Sequence, residues 1–463
     1  MSPVSENKAS VIDTGFTELL QTIEQSAAAL RIAAQTQQSD DIGASIAAQM
    51  GLPFHANAEM ARQAAILRLA SERLTQLVTP PRHVLFEAAG SFYATLCMKI
   101  LVKADVASVI EDTNASGVAA GDLAKKVGMD KELMSRLLRH LASKGIFQEV
   151  SPGVWANTAN SRAMAHAPEF VAHLDLVMYE GSLALPYWPQ FMDARSSGIA
   201  PAPLSPFAMY AANQPFYQWI HSSAPAALGR GANFNAAMKG MARTEGVPFL
   251  PADYPFGAKF PAGTTVVDVG GGLGSLPALV LPAAPHLKFV VQDLDAVVKE
   301  AAARGACGEW VAKGLVEFVV HDCFSPQPER LCGGNVFVLK AILHNYPDSK
   351  ASEILTHIRA ANPSKLLIID RVIFPQFPAH AAAEHQPDSD GTTLRDGAAP
   401  AQSLVVPTMY DLIMAALHGG RERLFPEWTA LLETAGFSVG AIYPMRASTG
   451  QFVVECVPAE LAR

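Results

Sequence analysis

The residues best placed to do chemistry begin with a run of valines around Asp268 (Val266-Val267-Asp268-Val269) that leads into Gly270-Gly271-Gly272-Leu273-Gly274. An apolar strand ending in glycines lets the backbone adopt positive φ and lets a ligand approach bare peptide. A dinucleotide fingerprint needs G-x-G-x-x-G, but counting from Gly270 the sixth position is Ser275; the pattern here is D-x-G-x-G-x-G, from Asp268, Gly270, Gly272 and Gly274. Further strand-like runs follow, each leading into polar residues. Phe289–Gln292 leads into Asp293, 19 residues after Gly274, where an acid can take two ribose hydroxyls. Val316–Val320 leads into His321-Asp322-Cys323-Phe324, and Val336–Leu339 into Lys340 and then His344. Polar residues at the carboxyl ends of neighbouring strands are what a ligand site in an open α/β sheet requires.

The glycine pattern resembles motif I of the class I S-adenosylmethionine (SAM) methyltransferases. The phrases DVGGGLG, VVQDLD, HDCF and LKAILHNYPD, in that order, resemble the plant-type (caffeic acid-like) O-methyltransferases, and more closely the fungal members of that family. The resemblance runs from about Pro81 to the C-terminus; the first 80 residues match loosely, as a helical extension. It implies methyl transfer from SAM to a phenolic hydroxyl, with His344 as general base and Asp370 and Glu422 as its acidic partners. Asp370 stands where the family usually carries glutamate, one methylene longer. The cofactor site is read at Asp268, Gly270, Gly271, Gly272, Gly274, Asp293, Leu294, Asp322, Cys323, Phe324 and Lys340; Asp322, at a strand's carboxyl end, is placed to meet the adenine amino group, and the resemblance puts Lys340 beside the cofactor. The resemblance assigns the acceptor pocket to Phe234 and Met238, four apart on one helical face, and to Met409, Ile413 and Met414.

These residue types suit that chemistry. A sulfonium methyl group is already a strong electrophile, so alignment and an oxyanion are the main needs. A phenol of pKa about 10 is mostly protonated at neutral pH, and an imidazole can accept its proton as transfer proceeds. A carboxylate beside the ring would orient it and stabilise the imidazolium. No metal is expected, because the histidines are scattered, with no H-x-x-x-H or C-x-x-C spacing. Plainer readings exist for several residues. Glu422, between Arg421 and Arg423, could be a surface ion pair, and Asp348 reads as the cap of a helix over Ser349–Ala361.

Composition sets the remaining bounds. The chain has 463 residues, half of them hydrophobic and 17% charged, with a net charge of −8. That is ample for a large core and carries no basic footprint for nucleic acid or an anionic membrane. Five cysteines without framework spacing suit a reducing compartment, and the polar N-terminus lacks a signal-peptide profile. Apolar runs such as Leu276–Ala284 are short for a membrane span. A cytoplasmic protein with a small-molecule acceptor is expected, with neither nucleic acid nor membrane as partner.

The expected architecture is an α/β, Rossmann-like seven-stranded methyltransferase domain behind a helical N-terminal dimerisation region. Boundaries are read at 1–90 (helical extension), 91–165 (winged-helix-like dimerisation domain), 166–260 (aromatic-rich helical connector) and 261–463 (SAM-binding catalytic domain). Within 91–165, Val118–Gly128 and Asp130–Lys144 read as a helix–turn–helix, with Asp130 as N-cap, Leu133, Leu137, Leu138 and Leu141 on one face, and a hairpin over Phe147–Trp155. Its basic face (Lys131, Arg136, Arg139, Lys144) raises a DNA-binding regulator as one alternative function, but the acidic remainder with its cofactor motif disfavours it. A SAM-fold enzyme that has drifted to decarboxylation or hydroxylation is another; His344 with Glu422 argues against it. The helices and the family point to a homodimer. Residues 375–407, rich in proline, alanine and histidine, depart from any periodicity and read as a loop, with a lid over the site as the expectation.

Overall fold

The computed structural model describes residues 3–36, 41–197, 203–374, 403–446 and 450–459. The segment expected to form a lid falls at residues 375–402 outside them. The chain folds as two compact units, one of residues 75–243 and one of residues 1–74 with 244–463.

In the 75–243 unit, helices Pro81–Gly90, Phe92–Lys103 and Val106–Asn114 lead to strand β1 (Val118–Ala119), helices Ala120–Val127 and Lys131–Ala142, then β2 (Phe147–Ser151) and β3 (Val154–Asn157). The three strands form an antiparallel sheet in the order β1-β3-β2. Asp130 caps its helix as expected, its carboxylate accepting the Leu133 N–H at 2.8 Å. The buried face differs by one residue: Met134 joins Leu137, Leu138 and Leu141 inside, and Leu133 is exposed. Asp348 is a second correction. It opens the helix Asp348–Ala360 in the other unit, whose N-cap is Pro347, and its carboxylate binds arginines instead of helix amides.

Pro81–Lys103 is long and apolar enough to cross a membrane by length and composition, which the short-run reading passed over. It is two helices meeting at Ser91, with Leu85, Phe86, Phe92, Tyr93 and Leu96 all exposed in the single chain.

In the other unit the four strand runs read around the site, β4 (Thr265–Val269), β5 (Lys288–Asp293), β6 (Val316–Val320) and β7 (Val336–Lys340), form one sheet with β8 (Lys365–Ile373), two-residue β9 (Arg423–Leu424), β10 (Phe437–Pro444) and β11 (Gln451–Pro458). The order is β10-β11-β8-β7-β4-β5-β6, seven strands, with β9 pairing in parallel to the end of β8. β8, β7, β4, β5 and β6 are parallel, and β10–β11 form an antiparallel hairpin on β8. Parallel strands are covered on both faces, so they read as continuous apolar runs. Alternate residues supply two cores. Val267, Phe337, Leu339 and Ile368 pack with Ile354, Leu355, Trp428 and Leu432; Val266, Val338 and Ile369 pack with Leu250, Phe256, Leu276 and Val280. The chain runs β4-β5-β6 in one direction and resumes at β7 on the other side of β4. The loops after β4 and β7 therefore diverge, creating the crevice where doubly wound sheets bind ligands.

Candidate functional site

The turn after β4 is built as its glycines require. Gly270, Gly272 and Gly274 have φ of 71°, 59° and 76°, conformations that glycine adopts without steric cost. The amides of Gly270 and Gly271 bind the Gln292 carbonyl of β5 at 2.8 and 3.1 Å. A Cβ on Gly271 would stand 2.4 Å from Asp268 Oδ2. Asp268 is fully buried, and neither carboxylate oxygen has a hydrogen-bond partner among the described residues. Burial pushes its pKa up to about 6, with Lys340 opposing and Asp293 reinforcing the rise. Asp293, ending β5, accepts the Gly272 N–H on one oxygen and the Leu294 N–H on the other, each at 2.8 Å. Leu294 itself is exposed.

At the end of β6, exposed Asp322 accepts the Phe324 N–H at 3.0 Å. Cys323 and Phe324 are half-buried, and the Phe324 ring meets Tyr346 edge-on at 5.2 Å. Half-buried Lys340 ends β7. The fold thus sets the proposed cofactor residues at the carboxyl ends of four adjacent parallel strands.

From Lys340 the chain turns through Ala341, a non-glycine residue at φ 56°, and Ile342, whose side chain packs on Gly270. His344 follows, buried. Its Nδ1 lies 3.0 Å from Asp370 Oδ1 and 3.2 Å from Glu422 Oε1, shared between the two carboxylates. Burial works against the imidazolium, but Asp370 and Glu422 outweigh it and lift the His344 pKa to about 10. Burial also acts on Asp370, whose carboxyl His344 and Arg371 nevertheless hold below the usual range. The surface-pair alternative for Glu422 is not what the structure has. Glu422 is buried, and its arginine partner is Arg371, 51 residues away, at 3.0 Å. The three donor atoms of His344, Asp370 and Glu422 lie within 4.8 Å of one another, a spacing that could hold a metal ion; Arg371 already sets a cation against Glu422 in this cluster.

Sequence reasoning missed the residues that hold this arrangement. Arg423, fully buried, donates to the carbonyls of Leu343 and Tyr346 and to Asp348, each at 2.9 Å. The Arg421 N–H binds the His344 carbonyl at 2.9 Å. Arg371 pairs with buried Glu245 at 2.7 Å, and its guanidinium stacks 3.4 Å from the centre of the Tyr410 ring. Tyr410 belongs to the helix Val405–His418, which also carries Met409, Ile413 and Met414. Phe234 and Met238 lie on the helix Arg230–Thr244 of the 75–243 unit, where Phe234 meets Phe216 and Tyr217 edge-on.

Comparison with known proteins agrees with this architecture. Residues 232–388 match the O-methyltransferase domain and residues 86–167 the O-methyltransferase dimerisation domain, through which the chain pairs with a second copy. The chain is 27% identical over 427 residues to 4-O-methyltransferase 1 of Phanerochaete chrysosporium, covering 85% of this chain and 88% of the relative. It is 29% identical over 370 residues to sterigmatocystin 8-O-methyltransferase of Aspergillus parasiticus, covering 78% of each. The solved structure of the mitomycin 7-O-methyltransferase MmcR superposes with a TM-score of 0.58 at 26% identity, covering 85% of this chain and 99% of that one. The chain belongs to the plant-type O-methyltransferase family, in the group that serves fungal secondary metabolism, and is a SAM-dependent O-methyltransferase.

Proposed function

We propose that the chain methylates a phenolic hydroxyl of a small polycyclic or monocyclic aromatic metabolite, with His344 as the general base. The observation that carries this reading is the buried imidazole held between Asp370 and Glu422, one residue beyond Leu343 and two beyond the Ile342 side chain that packs on the glycine turn. When bound, SAM supplies an electrophilic methyl group on its sulfonium. The turn fits that cofactor. Its bare glycines suit an uncharged nucleoside, and the buried carboxylate of Asp268, without a hydrogen-bond partner among the described residues, suits the cofactor's ammonium. Asp293 keeps lone pairs for ribose hydroxyls while holding the turn.

His344 takes the phenol's proton on the ring nitrogen opposite Nδ1, and Asp370 and Glu422 stabilise the resulting imidazolium. A phenol ionises near pH 10, so a histidine lifted to about 10 exchanges the proton with it at little cost. Imidazole with phenol and imidazolium with phenolate are one complex with the proton in two places. The sign of the pH dependence follows: the neutral-imidazole fraction grows with pH below the His344 pKa, so kcat/KM rises from neutral towards about pH 10. A methyl-transfer assay with labelled SAM against a panel of phenols tests the reading. Labelled ether product supports it; SAM binding without transfer to any phenol overturns it.

The 86–167 match and the exposed residues Leu85, Phe86 and Leu96 point to a homodimer. Replacing Leu85 and Phe86 together by aspartate is expected to give a monomer at low micromolar concentration by light scattering, while the parent elutes as a dimer. A cytoplasmic setting fits the five cysteines, all free thiols.

A further inference from the structure

The buried charges behind His344 extend further than the base and its two acids. Glu422 Oε1 is shared: it lies 3.2 Å from His344 Nδ1 and 3.0 Å from Arg371 Nη1. Arg371 is shared in turn, with Nη2 at 2.7 Å from Glu245 Oε1. Tyr410 closes the chain, lying under the guanidinium and hydrogen-bonded to Glu245. Every member is buried, where solvent screens little and a shared charge is felt along the line.

We propose that Arg371 is a positioning residue for the methyl-transfer site: by competing for Glu422 it leaves Asp370 as the principal partner of His344 and sets how tightly the histidine holds its proton, while Glu245 limits that competition. This rests on the general-base reading of His344. Arg371 touches neither reacting atom: its guanidinium acts through Glu422, while its backbone N–H, which a side-chain substitution leaves in place, donates to Asp370 Oδ1 at 3.0 Å. The groups facing His344 are Asp370 on β8, Glu422 before β9, and His418 at the end of the Val405–His418 helix; burial and His344 lower the His418 pKa to about 3, so it adds no charge. Behind Glu422 stand Arg371, Glu245, Tyr410 and Asp411, whose carboxylate accepts the Glu422 N–H at 2.9 Å.

The geometry gives two substitutions opposite signs. Arg371→Met removes the competing cation and returns the whole Glu422 charge to His344. Glu245→Gln keeps shape and hydrogen bonding but gives Arg371 more fully to Glu422, weakening the pull on the histidine. The experiment is the pH profile of kcat/KM for one phenolic acceptor, measured on the full-length parent, both variants and His344→Gln, with melting temperatures alongside. The Arg371→Met profile is expected to move about one pH unit to the alkaline side, so activity at pH 7 falls about tenfold and the gap closes as pH rises. The Glu245→Gln profile is expected to move the other way. Profiles that keep their position, shift together, or drop by one pH-independent factor overturn the positioning role. If Arg371→Met fails to fold, the direction of the Glu245→Gln shift still decides. Full activity in His344→Gln would instead remove the base reading itself.

Discussion

Replacing His344 by glutamine is expected to lower kcat for a weakly acidic phenol by ~10²–10⁴, the usual range for losing a positioned base, with SAM affinity unchanged. Glutamine can still hydrogen-bond but cannot take a proton, so the acceptor would have to ionise unaided. The loss should therefore depend on the acceptor. A phenol carrying electron-withdrawing groups is already phenolate at neutral pH and should lose much less than an unactivated one. Single-turnover rates across a series of phenols of graded acidity measure this directly. A uniform loss across the series would mean that His344 orients the acceptor and does not accept its proton. SAM affinity, read by calorimetry, separates both cases from general damage, because the glycine turn, Asp268 and Asp293 lie on other strand ends.

Gly420→Ala is expected to reduce activity nearly as far without touching any group that handles a proton. A Cβ at position 420 would stand 2.2 Å from the His344 carbonyl oxygen and 2.9 Å from the Asn345 carbonyl carbon. Both are backbone atoms, so no flexible side chain can absorb the clash. Either the turn that delivers Glu422 or the loop that delivers His344 must move. A misplacement of about 1 Å costs on the order of 10² in rate. The variant should melt somewhat earlier and still bind SAM, since the cofactor turn lies elsewhere. Activity within about threefold of the parent would show that the two loops tolerate separation better than this packing implies.

The cofactor half of the site was legible because its chemistry is local. Asp268, Asp293 and Lys340 each lie in or at the end of an apolar run, so strand pattern and site residue are read from the same few letters. The His344 group was legible only through resemblance. Asp370 and Glu422 lie 26 and 78 positions beyond His344, and nothing in local periodicity announces that β8 and the turn before β9 return to it. The supporting arginines were not legible at all. A lone Arg-Glu-Arg run reads as solvated surface, because charges are rarely buried unless paired, and the pairing of Glu422 with Arg371 depends on tertiary packing. The same limit explains the smaller differences. Leu133 and Met134 are adjacent on a helix rim, where only packing decides which turns inward. Asp348 has the type of a cap residue but is drawn to Arg423.

Arg423 carries a consequence for how this enzyme should fail on heating. Flexible loops usually deliver catalytic groups and melt before the scaffold does. Here the carbonyls on either side of His344 are tied by one fully buried guanidinium to a strand that pairs with β8 in the middle of the assembly. The loop has lost its independence. Inactivation and collapse of the sheet should therefore be the same event, with no temperature window in which the protein is folded but inert.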